Sequence, residues 1–187
     1  MPWLREGDYP LDVHVVYFGE PEWQLERCLE SILPHEVGVY LTLGGNNIGR
    51  ARAEAFAACK APLVGFVDPD DYLRAADPFG PSIAAYADPT VAATHTHYYE
   101  IGRTGDGVEY RHLIRKRDCT PARLCDDIWA SMHLHLYRRA ALAPHLHDLA
   151  TWPLYEEAAA AAYCMKSGGA VRLVDDVPYY KSPSNNV

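Results

Sequence analysis

Between Val13 and Val67 the chain alternates short apolar runs with helical repeats, and this order restricts the fold more than any other feature of its 187 residues. Val13–Phe18 (VHVVYF) reads as a strand. Glu22–Leu33 then carries apolar residues at Trp23, Leu25, Cys28, Leu29, Ile32 and Leu33, a helical stripe that Pro34 stops. Val37–Leu43 is a second strand, broken by Gly44-Gly45. Asn46 or Asn47 caps a helix running to Cys59, and Pro62 precedes a third strand. A β-α-β-α-β order implies a parallel sheet with right-handed crossovers, hence an α/β fold with helices on the sheet's faces.

The second half changes character. Asp77-Pro78 reads as the cap and first turn of a helix ending near Tyr86. Val91–Ile101 and Val108–Ile114 flank Thr104-Gly105-Asp106-Gly107 as a small β-hairpin. Thr120–Asp126 is expected as a short helix and Ser131–Tyr137 as a strand. Arg138–Leu146 and Pro153–Lys166 are expected as helices, the latter ended by Gly168-Gly169. Ala170–Val174 is a last strand running into a tail. No repeat or linker interrupts this order, so residues 1–187 are expected to form one domain with its own core.

Composition bounds the partners. Hydrophobic residues at 49% with 22% charged describe a soluble globular chain, and no apolar run approaches a membrane span. The five cysteines are scattered without a C-x-x-C pair; Cys28 and Cys164 fall inside helical patterns as buried thiols. A reducing, cytoplasmic setting is expected. The net charge of −8 argues against broad capture of nucleic acid or anionic membrane. One segment runs the other way: Arg103, Arg111, Arg115, Lys116, Arg117 and Arg123 outnumber Asp106, Glu109 and Asp118. It is either a contact for phosphates of a donor or an acceptor, or a solvated face.

The third apolar run ends in acids. Leu63–Leu73 (LVGFVDPDDYL) places Asp68, Asp70 and Asp71 around Pro69, which ends regular pairing. Open α/β sheets bind ligands at this carboxyl edge. Clustered carboxylates repel one another and need a cation, a proton or a basic partner, so a Mg²⁺ or Mn²⁺ shared with a diphosphate fits the position. The other reading is an acidic surface turn. The helix N-terminus after Asn47 is a second feature suited to a diphosphate.

At this point the chain resembles the GT-A-fold glycosyltransferases, specifically the inverting family 2. EWQLERCLESIL (Glu22–Leu33) is similar to that family's first helix. Asn47-Ile48-Gly49 with Arg50 and Arg52 resembles its N-x-G element, and GFVDPDDYL resembles its strand with the DxD loop. Tyr155-Glu156-Glu157 resembles its E-D element, and VRLVDDVPYYKSP its closing strand and tail. The likeness spans Val13–Ser182 and is densest over Glu22–Leu73. It departs from the family at Leu43-Gly44-Gly45-Asn46, where an acid usually reads the nucleotide base, and at Glu54-Ala55.

The resemblance implies a GT-A, Rossmann-like sheet, mixed and mainly parallel, flanked by helices and carrying the hairpin as an insertion. Residues 11–90 would form the nucleotide-sugar half and 91–187 the acceptor half. It implies a metal-dependent inverting hexosyltransferase using a nucleotide sugar, foremost a UDP-hexose, with Mn²⁺ or Mg²⁺ held by Asp70 and Asp68. Asp68 alternatively holds the ribose, and Asp71 caps the next segment. Asn47, Gly49, Arg50 and Arg52 would help bind the donor. Glu157 takes the place of the general base, with Glu156 as the alternate; acids in a helix's first turn also favour the macrodipole without any catalytic role. The acceptor hydroxyl belongs to a glycan, a protein, a small molecule or a hydroxymethylated DNA base.

Two further patterns stay open. His95-x-His97 and His133-x-His135 each place imidazoles on one strand face and would build a metal site if the strands were neighbours; otherwise they are buried or line an acceptor site. Trp129 and Trp152 either stack on a sugar or pack in the core. Two rival functions remain in view. A haloacid-dehalogenase-type phosphohydrolase also places D-x-D after a strand, with Asp175-Asp176 as its later acids. A non-catalytic GT-A-like domain would bind a nucleotide or glycan without turnover.

Overall fold

The structure is a computed structural model and describes residues 3–45, 47–127, 130, 133–153 and 155–182. Asn46 and Trp129 lie outside the described residues. In chain order the elements are β1 (Trp3–Arg5), β2 (Leu11–Tyr17), α1 (Glu22–Ile32), β3 (Gly38–Leu43), α2 (Ile48–Ala58), β4 (Leu63–Phe66) and β5 (Tyr72–Leu73). There follow α3 (Gly80–Ala85), β6 (Val91–Arg103), β7 (Glu109–Ile114), α4 (Pro121–Asp126) and β8 (Leu136–Arg138). The chain closes with α5 (Arg139–Leu142), α6 (Leu146–Leu149), α7 (Glu156–Lys166) and β9 (Ala170–Lys181).

The strands make one mixed sheet, curled into a half-barrel, in the order β1-β3-β2-β4-β8-β6-β9-β5, with β7 paired to β6. Its parallel centre is β3-β2-β4, as the β-α-β-α-β order requires. Beyond β4 the sheet turns antiparallel through β8 and β6, and β9 then lies parallel to β6. The hairpin is present as β6–β7, with Gly107 at φ 84° in its turn.

Period-2 alternation sorts the central strands between two cores. Leu11, Val13 and Val15 point to one face, where Cys28 and Ile32 of α1, Phe79 and Tyr179 complete a buried cluster. Val64 and Phe66 point to the other, against Phe56 of α2, Leu142, Leu149 and Ala160 of α7. Asp12, also turned to that second side, is buried yet satisfied: its carboxylate accepts from the backbone N–H groups of Lys60 and Ala61 at 2.6 and 2.8 Å.

Several boundaries differ from the sequence expectation, each for a local reason. Asp77 Oδ1 accepts from the Gly80 N–H, three residues on, at 2.8 Å, a capping-type bond, while α3 itself starts at Gly80. Pro144 breaks the expected Arg138–Leu146 helix into α5, a 3₁₀ turn at Ala143–His145, and α6. The last strand runs on through the expected tail to Lys181, because Tyr179 and Tyr180 pair with β5 on one side and β6 on the other. β1 adds an antiparallel edge strand that the sequence reading did not include.

Candidate functional site

Asp68 follows β4 by two residues, at the carboxyl edge of the parallel centre. Three elements converge there: α2 brings Arg52, the first turn of α7 brings Glu156 and Glu157, and the segment entering β8 brings His133 and His135. The antiparallel pairing of Leu63–Gly65 with Leu136–Arg138 brings the segment before β8 alongside the end of β4, where His133 lies near Asp68.

Arg52 is the centre of the group. Its side chain is only 5% exposed, and each guanidinium nitrogen faces a different carboxylate. Nη2 donates to Asp68 Oδ1 at 2.6 Å, Nη1 to Glu157 Oε1 at 3.1 Å, and Nε lies 3.2 Å from Glu156 Oε1. The cation also lies 5.1 Å from the centroid of the Phe66 ring. Burial opposes its charge, but Glu156, Asp68 and Glu157 outweigh that and hold it well above the ordinary arginine range. Arg50 behaves differently. Two residues away on α2 it projects about 200° around the helix, exposed, in an i,i+4 pair with Glu54 at 2.9 Å.

One cation against three acids leaves the group short of positive charge. Burial pushes Asp68 up to about 7 against the pull of Arg52, with Glu157, Asp70 and Glu156 adding to the rise. Burial alone would raise Glu157 too, but the neighbouring His135 imidazole and the Arg52 charge hold it well below the usual carboxylate range. Glu156 and Glu157 are both buried at 6% exposure, so the macrodipole of α7 does not by itself account for them.

Asp68, Asp71 and His133 form a group whose ligand-type atoms lie within 4.8 Å of one another. Asp71 is buried and tied to the last strand, accepting from Tyr179 Oη at 2.7 Å and from the Ser182 N–H at 2.6 Å. His133 packs its ring on Tyr179 at 5.1 Å and edge-on to Tyr98 at 4.5 Å, while its buried Nδ1 has no hydrogen-bond partner. Burial draws it down to about 3, so the imidazole is neutral and able to ligate. Crowded acids with a raised proton affinity and an orphaned imidazole nitrogen suit a divalent cation that accepts O and N ligands. Asp70 lies outside this group: half-buried, its carbonyl accepts from Arg27 Nη2 at 2.7 Å.

The remaining sequence candidates are dispersed. Asn47 caps α2, its Oδ1 accepting from the Arg50 N–H at 2.8 Å. Gly49 is buried under the 149–152 segment; a Cβ there would lie 2.6 Å from the Leu149 carbonyl oxygen and closer still to that of Trp152. Trp152 is exposed, its indole donating to Tyr163 Oη at 3.3 Å. The two His-x-His pairs do meet, with His95 and His135 rings 5.9 Å apart, but they divide their contacts. His97 accepts from the Lys116 N–H and lies 3.1 Å from Asp175, and His135 Nδ1 lies 3.7 Å from Glu157. The sequence reading did not find Asp71, His133 and Tyr179 as neighbours; the signal available was the β4–β8 pairing.

Backbone strain brackets the site. Tyr155, which precedes the two glutamates, has φ 60° and ψ 28°, and His133 has φ 65°. A bulky residue at positive φ costs about 1–3 kcal/mol and persists only where its surroundings fix it.

Solved structures share this architecture. TarS 1–349 from S. aureus in complex with UDP-GlcNAc superposes with a TM-score of 0.63 at 15% identity, covering 95% of this chain and 59% of that one. The fold is GT-A-like. The mannosyltransferase PcManGT from Pyrobaculum calidifontis, in complex with GDP-Man and Mn²⁺, gives a TM-score of 0.65 at 17% identity over 100% of this chain and 62% of that one. Longer TarS gives 0.65 at 16% identity, covering 94% of this chain and 37% of that one. The chain thus spans about six tenths of the length of the first two structures. No protein-family model matches the chain, and no curated protein matches it in sequence. Among the described residues no helix is long and apolar enough to cross a membrane. Asp175 and Asp176, the later acids of the phosphohydrolase reading, lie inside β9 rather than in a loop beyond it.

Proposed function

We propose that the chain is an inverting glycosyltransferase, one domain over 1–187, that moves a hexose from a nucleotide sugar, foremost a UDP-sugar, to an acceptor hydroxyl. The observation supporting this most is the Arg52 cluster, which gathers Asp68, Glu156 and Glu157 at the carboxyl edge of β4 in a GT-A-like sheet. The donor would lie across the ends of β2, β3 and β4. Asn47 and Arg50 border a cleft of about 410 Å³ there, with Leu43, Gly44 and Gly45. Gly49 serves this half by letting α2 pack closely.

Transfer forms one bond and breaks one. The acceptor oxygen attacks C1 of the sugar, the C1–O bond to the diphosphate breaks, and its electron pair leaves with the nucleoside diphosphate. Glu157 takes the acceptor's proton, with Glu156 the alternate. Its depressed proton affinity keeps it ionised and ready, and the transfer occurs as attack makes the hydroxyl acidic. Arg52 orients both glutamates and Asp68. Asp68, Asp71 and His133 would hold Mn²⁺ or Mg²⁺, in preference to the Asp68–Asp70 pair of the family resemblance. A bound divalent cation supplies charge stabilisation to the leaving diphosphate. The buried free thiols Cys28, Cys59, Cys119 and Cys164 fit a cytoplasmic setting.

One observation favours the second reading, a donor-binding domain without turnover: Arg52 already neutralises the base candidates. A thermal-shift screen of UDP-, GDP-, dTDP- and CMP-sugars with and without Mn²⁺ tests the proposal. A shift that requires one nucleotide sugar together with metal supports it, and no shift with any combination in a folded sample removes it. Sugar release from a bound donor onto water or a simple alcohol separates turnover from binding alone.

A further inference from the structure

The basic segment of the second half does not spread over the surface. Arg115, Lys116 and Arg117, just beyond β7, and Arg123 of α4 converge on a cleft of about 530 Å³, with Tyr98 as one wall and Asp127 as the single carboxylate in its lining among the described residues. Arg115 and Arg117 are exposed, while Lys116 and Arg123 are half-buried. Among the described residues Arg115, Arg117 and Arg123 have no carboxylate partner. In a chain of net charge −8, such a surplus in one hollow is a local reversal of the protein's field.

The cleft adjoins the Arg52 site through a shared wall. The Lys116 ammonium lies 5.2 Å from the Tyr98 ring centroid, and the same ring meets His133, which groups with Asp68 and Asp71. The hollow is too large for a single small anion, and its guanidiniums match phosphate geometry bidentately.

Resting on the transferase reading above, we propose that this cleft is the acceptor subsite and that the acceptor carries two or more phosphate groups. Arg115, Arg117 and Arg123 bind those phosphates, and Tyr98 separates them from the donor side, so that a hydroxyl a short distance along the acceptor reaches Glu157. The rest of the acidic surface repels the same polyanion, which confines binding to this hollow.

Titration calorimetry of the full chain with inorganic tripolyphosphate, in metal-free buffer at two salt concentrations, tests the site. Binding that weakens with salt, and falls about tenfold or more in Arg115→Glu/Arg117→Glu, is expected. The variant's melting temperature and its UDP-sugar/Mn²⁺ thermal shift should match wild type. Arg123→Ala, on a different element, should weaken tripolyphosphate binding about threefold to tenfold and guards against misfolding of the double variant. Absence of binding to wild type, or equal binding by the variants, overturns the proposal. Loss of tripolyphosphate and UDP-sugar binding together also overturns it, because the cleft would then serve the donor diphosphate. If wild type shows no UDP-sugar shift yet the tripolyphosphate results hold, the transferase reading and the acceptor assignment both fall, while the anion site stands.

Discussion

Arg52→Met keeps an unbranched apolar stem and removes the one cation from among Asp68, Glu156 and Glu157. The ion pairs it abolishes span 2.6, 3.2 and 3.1 Å, and the guanidinium and two of its partners are buried. Removing one member of such a group leaves uncompensated buried charge, at a cost of about 3–5 kcal/mol. For a chain of this length that corresponds to a melting temperature lower by about 6–20 °C. The cost should depend on pH in a defined direction. Without Arg52 the acids take folded-state proton affinities above their unfolded ones, so the folded state binds the extra protons and stability falls as pH rises. The deficit should therefore be larger at pH 8 than at pH 5. Adding Glu156→Gln and Glu157→Gln to the same background replaces the stranded charges with amides and should recover at least about 1 kcal/mol. Differential scanning calorimetry and urea melts at both pH values read all of this. A variant that melts within about 2 °C of wild type at pH 8 would refute the view that these ion pairs hold the site together.

Gly49→Ala drives a Cβ into the carbonyls of Leu149 and Trp152, which are backbone and cannot swing aside; a loss of about 1–3 kcal/mol, or about 2–12 °C, is expected. Unchanged melting with lost UDP-sugar binding would show instead that Gly49 touches the donor. Glu157→Gln should retain the donor-induced shift and lose at least about 100-fold in transfer, with Glu156→Gln within about tenfold of wild type; the reverse order in a radiolabelled-donor assay would exchange their roles. Mn²⁺ affinity, read by calorimetry, should rise with pH, since the metal must displace the protons that burial favours on Asp68 and Asp71. His133→Gln and Asp71→Asn should each weaken it by about tenfold or more, and Asp70→Ala by less. A dominant effect of Asp70→Ala would return the metal to the Asp68–Asp70 pair.

The first half of the fold was legible because its strands are buried on both faces. Val13–Phe18 and Leu63–Phe66 therefore read as continuous apolar runs, and the helices between them carry their stripe on one side. The closing strand was not legible past Val174. Asp175, Asp176 and Pro178 look like tail, and the segment is a strand only because Tyr179 finds Tyr98 and Leu73 as partners. The same limit governs the site. Asp68, Glu156 and Glu157 were readable one by one as chemistry, but nothing local marks Arg52 as buried. Two of the acids that hold it lie 16 and 105 residues away, and its helical neighbour Arg50 is an ordinary surface pair.

Histidine shows the point most sharply. His-x-His at 133 and 135 is uninformative until β8 is known to run antiparallel to β4; that pairing brings the segment entering β8 beside the end of β4, where His133 groups with Asp68 and with Asp71, held by Tyr179 and Ser182. Asp71, readable along the chain as a cap for the next segment, instead joins the closing strand to the acids. Substituting Tyr179 by Phe would remove its bond to Asp71 while leaving the ring on His133. The site should then lose Mn²⁺ affinity while the sheet stays intact, and equal losses of both would mean that Tyr179 acts through packing alone.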